Sequence, residues 1–73
     1  KTFTVQQGSA STIKIFDALT GSLYKVISVG GNIVSSPYIS GNIVTATVEM
    51  GGKRFNKTFS LPSGGLKSSM PLG

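Results

Sequence analysis

Turn-forming residues recur about every ten positions along this chain, and the segments between them read as strands rather than helices. The punctuation is GSAS, Thr20-Gly21-Ser22, Gly30-Gly31-Asn32, Ser40-Gly41-Asn42, Gly51-Gly52-Lys53 and Pro62-Ser63-Gly64. No stretch of eleven residues carries apolar positions at the three-and-four spacing of an amphipathic helix. The spacing instead predicts strands at 2–7 (TFTVQQ), 12–19 (TIKIFDAL), 23–29 (LYKVISV), 33–39 (IVSSPYI), 43–50 (IVTATVEM), 54–61 (RFNKTFSL) and 65–71. Seven short strands joined by Gly-rich turns make an all-β antiparallel meander within a single domain, 1–73.

The tetrapeptide Gly-Asn-Ile-Val occurs at 31–34 and again at 41–44, which is one strand plus one turn. A longer period appears on shifting the chain by 43, so that 3–30 lies over 46–73 without a gap. Thr4/Thr47, Val5/Val48, Gly8/Gly51, Lys14/Lys57, Phe16/Phe59, Gly21/Gly64, Leu23/Leu66 and Gly30/Gly73 then coincide. Turn glycines fall on turn glycines, and Phe and Leu on their like. A period near 43 is that of a four-stranded blade.

The stretch Val34-Ser35-Ser36-Pro37-Tyr38-Ile39-Ser40-Gly41-Asn42-Ile43-Val44, followed by Phe59-Ser60-Leu61-Pro62-Ser63-Gly64-Gly65-Leu66-Lys67, resembles the β-propeller repeat of the quinoprotein and WD-like type. Ile15-Phe16-Asp17-Ala18-Leu19-Thr20-Gly21-Ser22-Leu23 is similar to the third-strand corner of that repeat. The resemblance implies a duplicated meander of about two blades lacking one innermost strand at its N-terminus. So short a chain cannot close a ring, because each blade covers its faces only against neighbours. The expectation is therefore a homo-oligomer, three chains making six blades or four making eight, with the vacant strand position open to strand addition. The alternative is a small β-sandwich or barrel in which two hairpin sheets pack on each other.

The pleat bears on this choice. Ile13 and Ile15 alternate with Phe16, Ile27 and Val29 oppose Tyr24 and Val26, and Ile43 opposes Val44, Ala46 and Val48. Both faces of these strands are partly apolar, so both call for cover. Pro37 is compatible with an edge strand only.

The chemical inventory is sparse. With no His and no Cys, nucleophile-and-base arrangements that use them cannot be built, and the zinc and disulfide staples of small domains are missing. Asp17 and Glu49 are the two acids. Asp17, at a corner, suits an Asx-turn that accepts backbone amides, and Glu49 lies late in a strand near Lys53. Gly51-Gly52-Lys53-Arg54 opens a strand rather than a helix, which favours a hairpin turn over a phosphate cradle. These residues predict no catalytic, cofactor or metal site, and the chain is expected not to be an enzyme. Pro37, Tyr38 and Phe3 are candidate interface or channel residues, Tyr38 being the aromatic most suited to exposure. Lys53, Arg54 and Lys57 are candidate contacts for an anionic ligand.

Seven Lys and Arg against two acids give a net charge of +5, but the cations are scattered and only Lys53 and Arg54 are adjacent. Such a charge is read first as a solvated surface. No apolar run approaches the ~20 residues that span a bilayer as a helix. The first residue is Lys rather than Met, as in a processed or trimmed chain. The expected function is therefore a self-assembling structural protein of a virion (capsid decoration, tail or fibre) or of another extracellular assembly, its partners being copies of itself and other structural proteins. A glycan-binding oligomeric propeller is the second expectation, although the Trp usual in its sugar pockets is absent. A basic, aromatic β-surface for single-stranded nucleic acid is the third.

Overall fold

The computed structural model describes residues 2–72. Among them, eight strands form two antiparallel sheets. Strands β1 (Phe3–Gln7), β2 (Thr12–Asp17) and β3 (Leu23–Ser28) make the first sheet in the order β1-β2-β3. The second sheet contains β4 (Asn32–Ile33), β5 (Tyr38–Ser40), β6 (Ile43–Met50), β7 (Lys53–Ser60) and β8 (Leu66–Leu72), in the order β4-β6-β7-β8 with β5 also on β6. The expected all-β antiparallel class is thus present, with eight strands where the sequence pattern gives seven. The expected strand over 33–39 is split: β4 pairs with Val48 and Glu49, β5 with Ile43, Val44 and Thr45, and the two are separated around Ser35, Ser36 and Pro37. Proline offers no amide to the ladder, so the edge strand is broken at that point.

Local chemistry fixes each hairpin. Gly51 and Gly52 both have positive φ (57° and 78°) and close β6 onto β7 with Met50 opposite Lys53, a two-residue turn that L side chains would strain. At the corner after β2, the Gly21 amide donates to the Asp17 carbonyl (2.7 Å) and the Asp17 amide to the Ser22 carbonyl (2.9 Å). After β7, the Gly64 amide donates to the Ser60 carbonyl (2.6 Å) and the Ser60 amide to the Gly65 carbonyl (2.9 Å). The Ser22 amide donates to Thr20 Oγ1 (3.2 Å) as the Gly65 amide does to Ser63 Oγ (3.3 Å). Both hairpins carry a register shift one residue before the corner. Ile15 faces Lys25 and Phe16 faces Leu23; Thr58 faces Ser68 and Phe59 faces Leu66. Each of these pairs and bonds maps onto the other at an offset of 43. The first strands do not follow that offset: Phe3 faces Asp17 whereas Ile43 faces Ser60, so β1 matches β6 at an offset of 40. The chain from Phe3 to Asp17 is three residues shorter than that from Ile43 to Ser60, and the sequence coincidences Thr4/Thr47, Val5/Val48 and Gly8/Gly51 are not structural equivalents. The Gly30/Gly73 coincidence lies partly outside the described residues.

The sheets pack face to face over one apolar core. Phe3, Ile13, Ile15, Ile27 and Val29 from the first sheet meet Val44, Ala46, Val48, Phe59 and Leu61 from the second, all buried. Each large side chain so buried stabilises the fold by about 1.5–3 kcal/mol. Polar ties cross the seam as well: the Lys57 ammonium, itself buried, donates to the Val29 carbonyl (2.9 Å), and the Ile33 amide donates to the Ala10 carbonyl (2.6 Å).

Candidate functional site

Alternation along the strands decides what remains on the surface. In the first sheet the face turned away from the core carries Thr4, Gln6, Lys14, Phe16, Leu23 and Val26, as their cross-strand pairing shows. Leu23 and Val26 are about half exposed there (54% and 49%), and Phe16 is half-buried. In the second sheet the outward face carries Tyr38, Thr45, Asn56, Thr58, Met70 and Leu72. Tyr38 and Met70 are about 60% exposed (59% and 62%), and Leu72 is 49% exposed. Each sheet therefore has one face turned to the core and one turned away from it that carries exposed apolar side chains, although Thr45 on the outer side is itself buried and β8 is exposed along its whole length.

The candidate interface trio is divided. Tyr38 is open to solvent and Pro37 is half-buried beside it. Phe3 is 5% exposed in the core, its ring 4.9 Å from that of Tyr24 and tilted by 51°. The expectation that Phe3 lines an interface or channel is corrected accordingly, because the pleat of β1 turns it inward with Val5. The candidate anion-binding trio is divided in the same way. Lys53 and Arg54 flank a surface hollow with Gly52, Pro71 and Leu72, but Lys57, four residues further along β7, is buried and committed to the Val29 carbonyl. Arg54 faces Glu49 across the ladder, with Nε 3.8 Å from Oε2. The cation beside Glu49 is thus Arg54 in place of the expected Lys53.

Asp17 takes the place its corner prescribes. Its Oδ1 accepts the amides of Leu19 (2.9 Å) and Thr20 (3.4 Å), an Asx-turn. In the second corner Ser60 stands in its place and Pro62 in that of Leu19, so the Leu19 amide that Asp17 captures has no counterpart there. Among the described residues no group of three or more His, Cys, Asp and Glu could hold a metal ion, and no helix is long and apolar enough to cross a membrane.

Comparison with known proteins returns no assignment. No protein-family model, curated protein or solved structure matches the chain.

What the sequence pattern did not single out is the pair Leu23 and Val26 on the open face of the first sheet. The available signal was their position in the alternation: with Ile27 buried, Val26 has to point away from the core. Which parity is covered could not be read before the packing was known.

Proposed function

We propose that this protein is a non-enzymatic structural component that assembles with copies of itself, three or four chains to a closed ring, within a virion or another extracellular assembly. The observation that supports this reading is the presence of apolar side chains on the outer faces of both sheets, Leu23 and Val26 on one and Tyr38, Met70 and Leu72 on the other. A chain of 73 residues buries only about 60% of the surface it exposes when unfolded, so covering those faces is the available route to further burial. The blade-like sequence period and the two corners matched in hydrogen bonding favour a ring of stacked sheets. The virion setting rests on small size and a Ser/Thr/Gly-rich β composition.

Native mass spectrometry of the purified chain tests the reading. A discrete trimer or tetramer is expected at micromolar concentration, with a melting temperature that rises with protein concentration. A monomer with a cooperative melt unaffected by dilution refutes it.

A further inference from the structure

The two corner-matched hairpins do not meet through the same face. The core-facing side of the second sheet carries Phe55, Lys57 and Phe59; subtracting 43 gives Thr12, Lys14 and Phe16, which lie on the open face of the first sheet, while the paired Leu66 and Leu23 are both about half exposed. The covered face of the first sheet carries Ile13, Ile15, Ile27 and Val29; adding 43 gives Asn56, Thr58, Met70 and Leu72, which lie on the open side of the second sheet. The strands β1 and β6 obey the same rule at their offset of 40, Thr4 and Gln6 outward matching Val44 and Ala46 inward. The contact inside the chain is thus heterologous: one kind of face meets the opposite kind. The two faces left open are again one of each kind.

We propose that a second copy of this chain occupies the open face of the second sheet with the open face of its own first sheet, repeating head to tail the contact already made inside the molecule. This rests on the self-assembly proposed above and specifies its interface. Lys14 of the incoming copy takes the position that Lys57 holds within the chain, and its ammonium donates to the Leu72 carbonyl of the next copy as Lys57 donates to that of Val29. Phe16, Leu23 and Val26 of the incoming copy cover Met70 and the Thr58 row. Asn56 and Thr58 stand where the internal seam has Ile13 and Ile15, so the new seam is more polar and separates on dilution while the fold persists. Heterologous contacts close into rings when their rotation allows, which a two-fold contact cannot do beyond a dimer.

The chain has no cysteine, so single introduced thiols report the geometry. Lys14→Cys and Leu72→Cys are prepared separately and treated with a short bis-maleimide, alone and as an equimolar mixture. Head-to-tail packing links the mixture and neither variant alone. Linking of Lys14→Cys by itself indicates first sheet on first sheet, and linking of Leu72→Cys by itself second on second; either overturns the proposal. Because these substitutions touch the seam, Val26→Asp is the companion variant. Val26 is half exposed, so the fold survives, and dissociation of the oligomer is expected to become roughly tenfold or more easier as a carboxylate is desolvated. An oligomer in native mass spectrometry that gives no link in the mixture and is indifferent to Val26→Asp overturns this interface and leaves self-assembly standing. A monomeric wild-type chain overturns both.

Discussion

Replacing Gly31 by Ala isolates one steric constraint in the join between the sheets. A Cβ built there meets Met50 Cγ, lies 2.6 Å from the Glu49 carbonyl oxygen and 2.7 Å from Val48 Cγ1, against an ordinary contact of 3.4–4 Å. Met50 can swing aside. The Glu49 carbonyl cannot, because Glu49 is held between Arg54 of β7 and Asn32 of β4. The strand that has to move is β4, which is two residues long and at an edge. Overpacking costs typically about 1–3 kcal/mol. Peeling β4 away sets an upper limit near the same size, since it gives up only a few backbone bonds of ~0.5–1.5 kcal/mol each, among them Val34 to Thr47 and Ile33 to Ala10. Ala also removes freedom from the unfolded chain, which returns about 0.4–1 kcal/mol. The net expectation is about 0–2.6 kcal/mol of destabilisation, centred on ~1.3 kcal/mol. A domain of this size holds roughly 4–11 kcal/mol and loses about 4–8 °C of melting temperature per kcal/mol, so the midpoint falls by about 5–10 °C at that centre and by at most roughly 20 °C. Circular-dichroism melts measure that fall, and amide exchange by NMR locates it: the amides of Ile33 and Val34 should exchange faster while those of β6 facing β7 stay protected. An unchanged or raised midpoint, with unaltered exchange at both amides, refutes the reasoning.

Ile15→Ala removes a fully buried side chain from the seam and should cost about 2–5 kcal/mol in urea unfolding, whereas Leu19→Ala, at a site 92% exposed, should stay within ~0.5 kcal/mol; equal effects would show that the seam is not the core. Asp17→Ala should cost about 0.5–1.5 kcal/mol by releasing the Leu19 and Thr20 amides, with Asp17→Asn retaining most of that contribution in the same assay; a neutral Ala variant would remove the Asx-turn from the account of this corner.

Features governed by local chemistry and strand period were legible in the order of residues alone. The Gly51-Gly52 turn, the Asp17 corner, the all-β class and the alternation that sets Val26 against Ile27 all follow from backbone freedom, short-range hydrogen bonds and a side-chain repeat of two. The match between the corners at 21 and 64 was legible for the same reason, since a turn of this kind demands particular residues at fixed spacing. Tertiary structure decided the rest. Which of two partly apolar faces is covered depends on the partner sheet, and so the burial of Phe3 and of Lys57, both read as surface candidates, could not be foreseen. Three fewer residues separate Phe3 from Asp17 than separate Ile43 from Ser60, which shifts one strand by three positions relative to the ungapped alignment, a change that only inter-strand pairing records. The break at Ser35, Ser36 and Pro37 depends on how far each half of the edge strand can follow β6. Local rules fix how a strand alternates; burial, being proportional to area removed from water by whatever lies opposite, is fixed only when the sheets meet.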